Sequence, residues 1–277
     1  MLIHDDILVE GKSEAIVGKE FEHDRFQQAV IFLTKKIESR NTWTCPDNLS
    51  IFTVRNYPEK QLFELNMDNL GIKHSCVKVP FQAWRHTDKM EGAIKILETC
   101  TTEYVLYGDT GDVVWVENPN TIVDKFLDYD CDLLFGSHDH FAVSTRHSYF
   151  SMMHIKNKID LLKMIAEEPI RRGVGHYINS GAWFGRTENI KDIFKRVSEF
   201  IDYDRKGLTT PEYCQIRYDG NNLCDYVENY PYGIPDDEDI FRWIEPDFYP
   251  RIKVDWKKNI FLRSAEDINN WLINNWG

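Results

Sequence analysis

Tyr104-Val-Leu-Tyr-Gly-Asp-Thr-Gly-Asp-Val-Val-Trp115 is the stretch that decides the fold. Tyr104 to Tyr107 is an apolar run of β-formers, long enough for a buried strand and too short for a helix. Gly108 and Gly111 then punctuate it. Asp109 and Asp112 stand beside those glycines, and a second apolar run, Val113 to Val116, follows at once. The two acids therefore sit on a tight bend at the carboxyl end of a buried strand, where open α/β sheets bind their ligands. Two carboxylates held close repel each other unless a cation lies between them. Mg²⁺ or Mn²⁺ accepts one or two protein carboxylates and keeps room for phosphate oxygens. Asp and Gly are also ordinary turn formers. A bare Asp-x-x-Asp would read as a turn; the buried-strand sequence on both sides favours a site.

The segments before this stretch alternate in type. Leu49 to Val54 reads as a strand ending in the loop Arg55-Asn56-Tyr57-Pro58. Glu59 to Asn69 reads as a helix stopped near Gly71. Ser75 to Val79 is a second short strand, closed by Pro80. Asp88 and Glu91 form a capping box that opens a helix carrying Met90, Ala93, Ile94 and Leu97. Strand, helix, strand, helix, strand predicts an α/β protein with a mostly parallel sheet.

The segments after it continue the pattern. Asn118-Pro119-Asn120 starts a short helix through Phe126. Leu133 to Phe135 is a strand leading to Ser137-His138-Asp139-His140. Ile159, Leu162 and Ile165 mark a helix over 157–168. Tyr177 to Gly185 is a strand interrupted by Asn179-Ser180-Gly181, where glycine suggests close approach by a ligand or backbone. Ile190, Phe194, Val197 and Ile201 mark a periodic helix. Residues 203–235 read as a long irregular insert. Asp236 to Ile244 opens on acids and turns apolar, as a helix N-terminus should. Ile252 to Leu262 holds two short strands around Lys257-Lys258. Three parts follow: an N-terminal helical extension over 1–48, where Phe26, Val30, Leu33 and Ile37 recur at helical spacing; an α/β domain over 49–263; and a C-terminal helix over 264–277 packed on it.

The chain has 277 residues, 42% hydrophobic and 13% aromatic, enough for a sizeable core. A net charge of −12 argues against a broad duplex-DNA footprint. The six cysteines, Cys45, Cys76, Cys100, Cys131, Cys214 and Cys224, include no C-x-x-C pair and read as reduced thiols. Met1 to Glu10 carries acids and no long apolar run, so no signal peptide is expected. No stretch approaches the roughly 20 apolar residues that span a bilayer. The expected location is cytoplasmic, with no membrane partner. His138, His140, His147 and His154 do not form a recognised zinc spacing.

The ordered series resembles the glycosyltransferase domain of collagen lysyl hydroxylases and its relatives, from about Leu49 to about Leu262. Leu49 to Arg55 resembles the family's first strand and donor loop. Gln82 to Leu97, with Trp84, Lys89 and Lys95, resembles its Trp- and Lys-bearing segment. Tyr104 to Val114 resembles the strand carrying Asp-x-x-Asp. Leu133 to Asp139 resembles the strand ending in Ser-Ala-Glu, with Asp139 at the Glu. Tyr177 to Gly185 resembles Leu-Asn-Ser-Gly-Gly-Phe-Ile-Gly, and Asp236-Asp237-Glu238 an acidic helix start. The chain departs from the family in three places. Thr110-Gly111 stand where the family has a Tyr between the aspartates. No His follows His176, where the family supplies a further metal ligand. Gly181-Ala182 replaces Gly-Gly.

The resemblance implies a GT-A fold, Rossmann-like, with helices on both faces of the sheet. It implies transfer of a hexose from a nucleotide sugar, a UDP-sugar, to a hydroxyl acceptor on a protein, glycan or modified nucleobase. Asp109 and Asp112 would hold Mn²⁺ or Mg²⁺, which screens the diphosphate. Thr53, Arg55, Trp84, Lys89, Asn179, Ser180 and Gly181 are the donor-binding candidates. Asp139, Asp236 and Asp237 are the candidates for orienting the acceptor hydroxyl or taking its proton. Each has a plainer reading: Trp84 as core, Lys89 as a solvated helix residue, Asp236 and Asp237 as helix-start acids. Metal-dependent nucleotidyl or phosphoryl transfer, and a transferase fold kept only for binding, are the alternatives.

Overall fold

A computed structural model describes residues 2–4, 43–79, 86–111, 113–115, 117–138, 177–205 and 237–262, with isolated helical positions at 161, 164 and 169. The helix expected over 20–40, the terminal helix over 264–277, and all but two positions of the helix over 157–168 lie outside the described residues. So do Trp84, Asp112, Asp139 and Asp236.

In chain order the strands and helices are β1 (Leu2–His4), β2 (Leu49–Arg55), α1 (Leu62–Leu70), β3 (Ser75–Lys78), α2 (His86–Thr99), β4 (Tyr104–Gly108) and β5 (Val113–Trp115). A 3-10 turn, Pro119–Thr121, leads into α3 (Ile122–Leu127). There follow β6 (Leu133–His138), β7 (Tyr177–Arg186), α4 (Lys191–Arg205), α5 (Asp237–Phe248), β8 (Ile252–Val254) and β9 (Phe261–Leu262).

Local chemistry sets the helix ends. Gln61 and Glu64 form a reciprocal capping box, so α1 begins three residues later than the apolar pattern suggests. Gly71 ends it at φ 66°, a left-handed position that glycine adopts without strain. The second helix starts at His86 rather than at Asp88, which leaves Asp88 in the first turn, where the helix dipole favours a carboxylate.

The main sheet has the order β3-β2-β4-β7-β6-β8. β2 pairs in parallel with β3 and β4, and β6 with β8, while β7 runs antiparallel to both of its neighbours. The sheet is thus mixed but mostly parallel. The carboxyl ends of β2, β4 and β6 share one edge with the amino end of β7. Asn179 therefore reaches that edge near the start of its strand, not from a carboxyl end as a wholly parallel sheet would have it.

β4 lies at the centre and is buried along its whole length, as a continuous apolar strand should be. Its side chains alternate between two cores. On one face Val105 and Tyr107 meet α2, α4 and α5 through Met90, Phe194 and Phe241. On the other face Leu106 meets α1, α3 and β5 through Phe63, Phe126 and Val114. Helices cover both faces of the sheet.

A small second sheet has the order β5-β1-β9. β1 is antiparallel to β5 and parallel to β9. Leu2–His4 therefore pair with strands of the α/β domain. Among the described residues no helix is long and apolar enough to cross a membrane. Cys45, Cys76, Cys100 and Cys131 are free.

Candidate functional site

The site grows from the end of β4. Asp109 follows the strand directly, and its backbone N–H donates to the Gly181 carbonyl at 2.7 Å. One residue on, the Thr110 carbonyl accepts the Phe63 N–H from the first turn of α1 at 3.0 Å. The bend is thus fastened to a neighbouring strand on one side and to a helix N-terminus on the other. Gly108 is needed for the second fastening. A Cβ there would lie 2.5 Å from Cε2 of Phe63.

The Asn179-Ser180-Gly181 stretch does not break its strand. β7 is continuous, but its register against β6 jumps from Phe135↔Trp183 to Gly136↔Asn179. Ser180, Gly181 and Ala182 form a bulge that β6 leaves unpaired and that β4 holds, through Gly108↔Ala182 and the Asp109–Gly181 hydrogen bond. Bulges of this kind re-aim a strand next to functional sites. The Asn179 Oδ1 accepts the Gly181 N–H at 3.1 Å and closes the bulge on itself.

Lys89 projects from the first turns of α2 toward the same edge. Gly92, on the next turn, sits against Val54 so closely that a Cβ would come within 2.7 Å of its methyl groups, and this presses the helix onto β2. The buried Lys89 Nζ lies 2.8 Å from Asp109 Oδ1, 3.0 Å from Asp109 Oδ2 and 2.7 Å from Asp237 Oδ2. Asp237 opens α5, so one ammonium ties the central strand to two helices. Tyr107 donates its hydroxyl to Asp109 Oδ1. Its ring carries the Lys89 ammonium at 5.5 Å and stacks on Trp183. Burial by itself would lower the Lys89 pKa, but the Asp109 and Asp237 carboxylates outweigh it and hold the ammonium well above the usual lysine range. One positive charge against two negative ones leaves the group net negative.

Three residues that the sequence assigned to three roles, cation ligand, donor grip and acceptor-side acid, thus form a single cluster. Asp237 was expected as a candidate for orienting the acceptor hydroxyl or, on the plainer reading, as a helix-start acid. It is buried and shares Lys89 with Asp109. Lys89, which the plainer reading made a solvated helix residue, is buried.

Thr53 and Arg55 reach the edge from the opposite face of the sheet. Phe52 and Val54 face α2, so strand alternation turns Thr53 and Arg55 toward α1. The Arg55 Nη1 lies 3.2 Å from the buried Glu64 Oε2. The buried Thr53 hydroxyl and the Arg55 Nε have no hydrogen-bond partner among the described residues. Cys76 sits opposite Thr53 on β3. Burial first, then the Glu64 charge, pushes its thiol to about 11, so it is no nucleophile at neutral pH.

Two members of the site were not singled out in the sequence. Tyr107 was visible as an aromatic with a polar tip at the end of a buried strand, which needs a partner. Glu64 was visible as an acid between Phe63 and Met67 on the apolar side of α1. Among the described residues no group of three or more His, Cys, Asp or Glu is arranged to hold a metal ion.

The fold and its edge define an α/β protein with a polar cluster at the carboxyl end of its central strand. No known family model matches the chain, and no curated protein matches it.

Proposed function

We propose that this chain is a GT-A-type glycosyltransferase that moves a hexose from a UDP-sugar to a hydroxyl acceptor, assisted by Mn²⁺ or Mg²⁺. The observation that carries the reading is Asp109. Its carboxylate stands on the bend after the central strand, oriented by Tyr107 and Lys89, with the side chain still 24% exposed. A hard oxygen donor at a partly exposed edge, in a cluster of net negative charge, suits a divalent cation that also takes phosphate oxygens. Asp109, joined by Asp112 in the resemblance, would hold the ion, which supplies charge stabilisation for the leaving diphosphate. The mostly parallel sheet with helices on both faces supports the GT-A fold.

The chain's own residues divide the remaining work. Tyr107 and Lys89 fix the Asp109 carboxylate, and Gly181 fixes its backbone. Lys89 acts through the two acids it touches. Asp237 is sequestered by Lys89, so the hydroxyl-orienting role falls to Asp139 or Asp236. A positioned carboxylate accepts the hydroxyl proton as the new bond forms.

One observation favours a second reading, a transferase fold kept for binding: the Lys89 ammonium already contacts both oxygens of Asp109. Incubation with UDP-, GDP- and ADP-hexoses, with and without Mn²⁺, separates the readings. Mn²⁺-dependent release of hexose together with UDP supports sugar transfer, and Asp109→Asn should abolish it while leaving the circular dichroism spectrum unchanged. Release of UMP points to nucleotidyl or phosphoryl transfer. Nucleotide binding without turnover points to a binding module.

A further inference from the structure

Lys89 stands between two carboxylates that are unequally open to solvent. The Asp109 side chain is 24% exposed, that of Lys89 10% and that of Asp237 4%. Anything arriving from solvent meets Asp109 first. Lys89 already approaches both oxygens of Asp109, at 2.8 and 3.0 Å, and Tyr107 donates to one of them. A divalent cation must therefore share those oxygens with an ammonium of like charge, and the two repel at such range. Lys89 has somewhere to go. Its other partner, Asp237 Oδ2, is already 2.7 Å away, so it can give up Asp109 without becoming an unpaired buried charge. A lysine head on a flexible four-carbon stem can make that small shift.

We infer that Lys89 is a displaceable counter-ion. It satisfies Asp109 while the cation position is empty, and yields Asp109 and closes fully on Asp237 when a divalent cation binds. The inference rests on the cation proposed above and adds a regulation of that site. Asp237 opens α5, so occupancy at Asp109 tightens the tie between α2 and α5. By linkage, whatever strengthens the Lys89–Asp237 contact favours the cation equally. Lys89 is on this account a positioning residue that couples the donor-side carboxylate to the helix on the acceptor side.

The test is Mn²⁺ affinity of the full chain without any nucleotide, read from the free-ion paramagnetic resonance signal. Removing a positive charge or a negative one changes Mn²⁺ affinity through space whatever the mechanism, so no single affinity decides. The comparison of Asp237→Asn in two backgrounds does. In the wild-type background a displaced Lys89 loses the carboxylate it closes on, and Asp237→Asn should weaken Mn²⁺ binding about tenfold; in the Lys89→Met background only the through-space share remains, about threefold. An equal loss in both backgrounds overturns the inference. If Lys89→Met does not fold, Lys89→Gln takes its place as the neutral background. Absence of Mn²⁺ binding in every variant also overturns it, while hexose release without Mn²⁺ would leave the transfer reading standing. Unequal losses with no hexose released from any donor keep the counter-ion and remove the transfer reading.

Discussion

Lys89 Nζ and Asp237 Oδ2 lie 2.7 Å apart in a buried setting, with Asp109 on the far side of the same ammonium. Lys89→Met leaves two carboxylates facing each other with no positive charge between them. Breaking a buried pair from one side costs about 3–5 kcal/mol. Urea denaturation at neutral pH should show that loss, and the gap should narrow at about pH 3, below the ordinary carboxylate range, where carboxylates take up protons. A gap that stays constant with pH would mean that the loss comes from packing of the lysine stem instead.

The Arg55–Glu64 pair carries a separate prediction, because Arg55 was expected to grip the donor. Glu64→Ala should destabilise the chain by about 3–5 kcal/mol, since it leaves a buried guanidinium alone. The double change Arg55→Met/Glu64→Leu should recover most of that loss, as apolar replacement of buried pairs often does. Nucleotide affinity measured on the double variant then separates two roles. Retained affinity makes Arg55 a brace between β2 and α1; lost affinity returns it to the donor.

How much of this was legible depended on the range of the interaction concerned. The β4 strand was readable because Tyr104 to Tyr107 is apolar without a break, and a strand buried on both faces demands that. The α4 helix was readable because Phe194, Val197 and Ile201 repeat at helical spacing, and all three enter one core. β1 was not readable: Leu2–His4 is too short for any period, and its conformation comes from pairing with Val113–Trp115 and Phe261–Leu262. The reversal of β7 was hidden because side-chain alternation is the same in either direction. Asp109, Lys89 and Asp237 were each singled out in the sequence, but their mutual pairing is tertiary and left no trace in local spacing.

A second buried acid sets a pH dependence. Asp255, fully buried, accepts the Tyr129 hydroxyl and the backbone N–H groups of Asn259, Ile260 and Phe261, the last three at 3.0, 2.8 and 2.8 Å. It pins the loop between β8 and β9. Burial pushes its pKa up to about 6, against the opposing pull of those hydrogen bonds. A carboxyl raised above its unfolded value contributes stability that is fully present below that value and is lost as pH rises through the folded pKa. Wild type compared with Asp255→Asn should therefore lose relative stability between about pH 4 and pH 6, by up to about 3 kcal/mol, and change little above that. Denaturation midpoints taken across this range check it. A flat difference would mean that the four donors keep the carboxylate ionised throughout.

The bend that carries Asp109 can be tested through its two glycines, which differ in what surrounds them. A Cβ at Gly108 meets the Phe63 ring at 2.5 Å, whereas a Cβ at Gly111 meets nothing within 4 Å. Gly108→Ala forces the ring or the strand to move, and overpacking of this kind costs about 1–3 kcal/mol. Gly111→Ala should stay within about 0.5 kcal/mol of the wild type. Phe63 is also the residue whose N–H holds the Thr110 carbonyl, so displacing it loosens the bend itself. Phe63→Leu alone loses ring packing, but combined with Gly108→Ala it makes room for the new methyl. The two changes should therefore be less than additive, with a favourable coupling of about 0.5–3 kcal/mol in a double-mutant cycle. Additive losses would show that Gly108 is required by its backbone and not by the ring beside it, and would separate the position of Asp109 from the packing of α1.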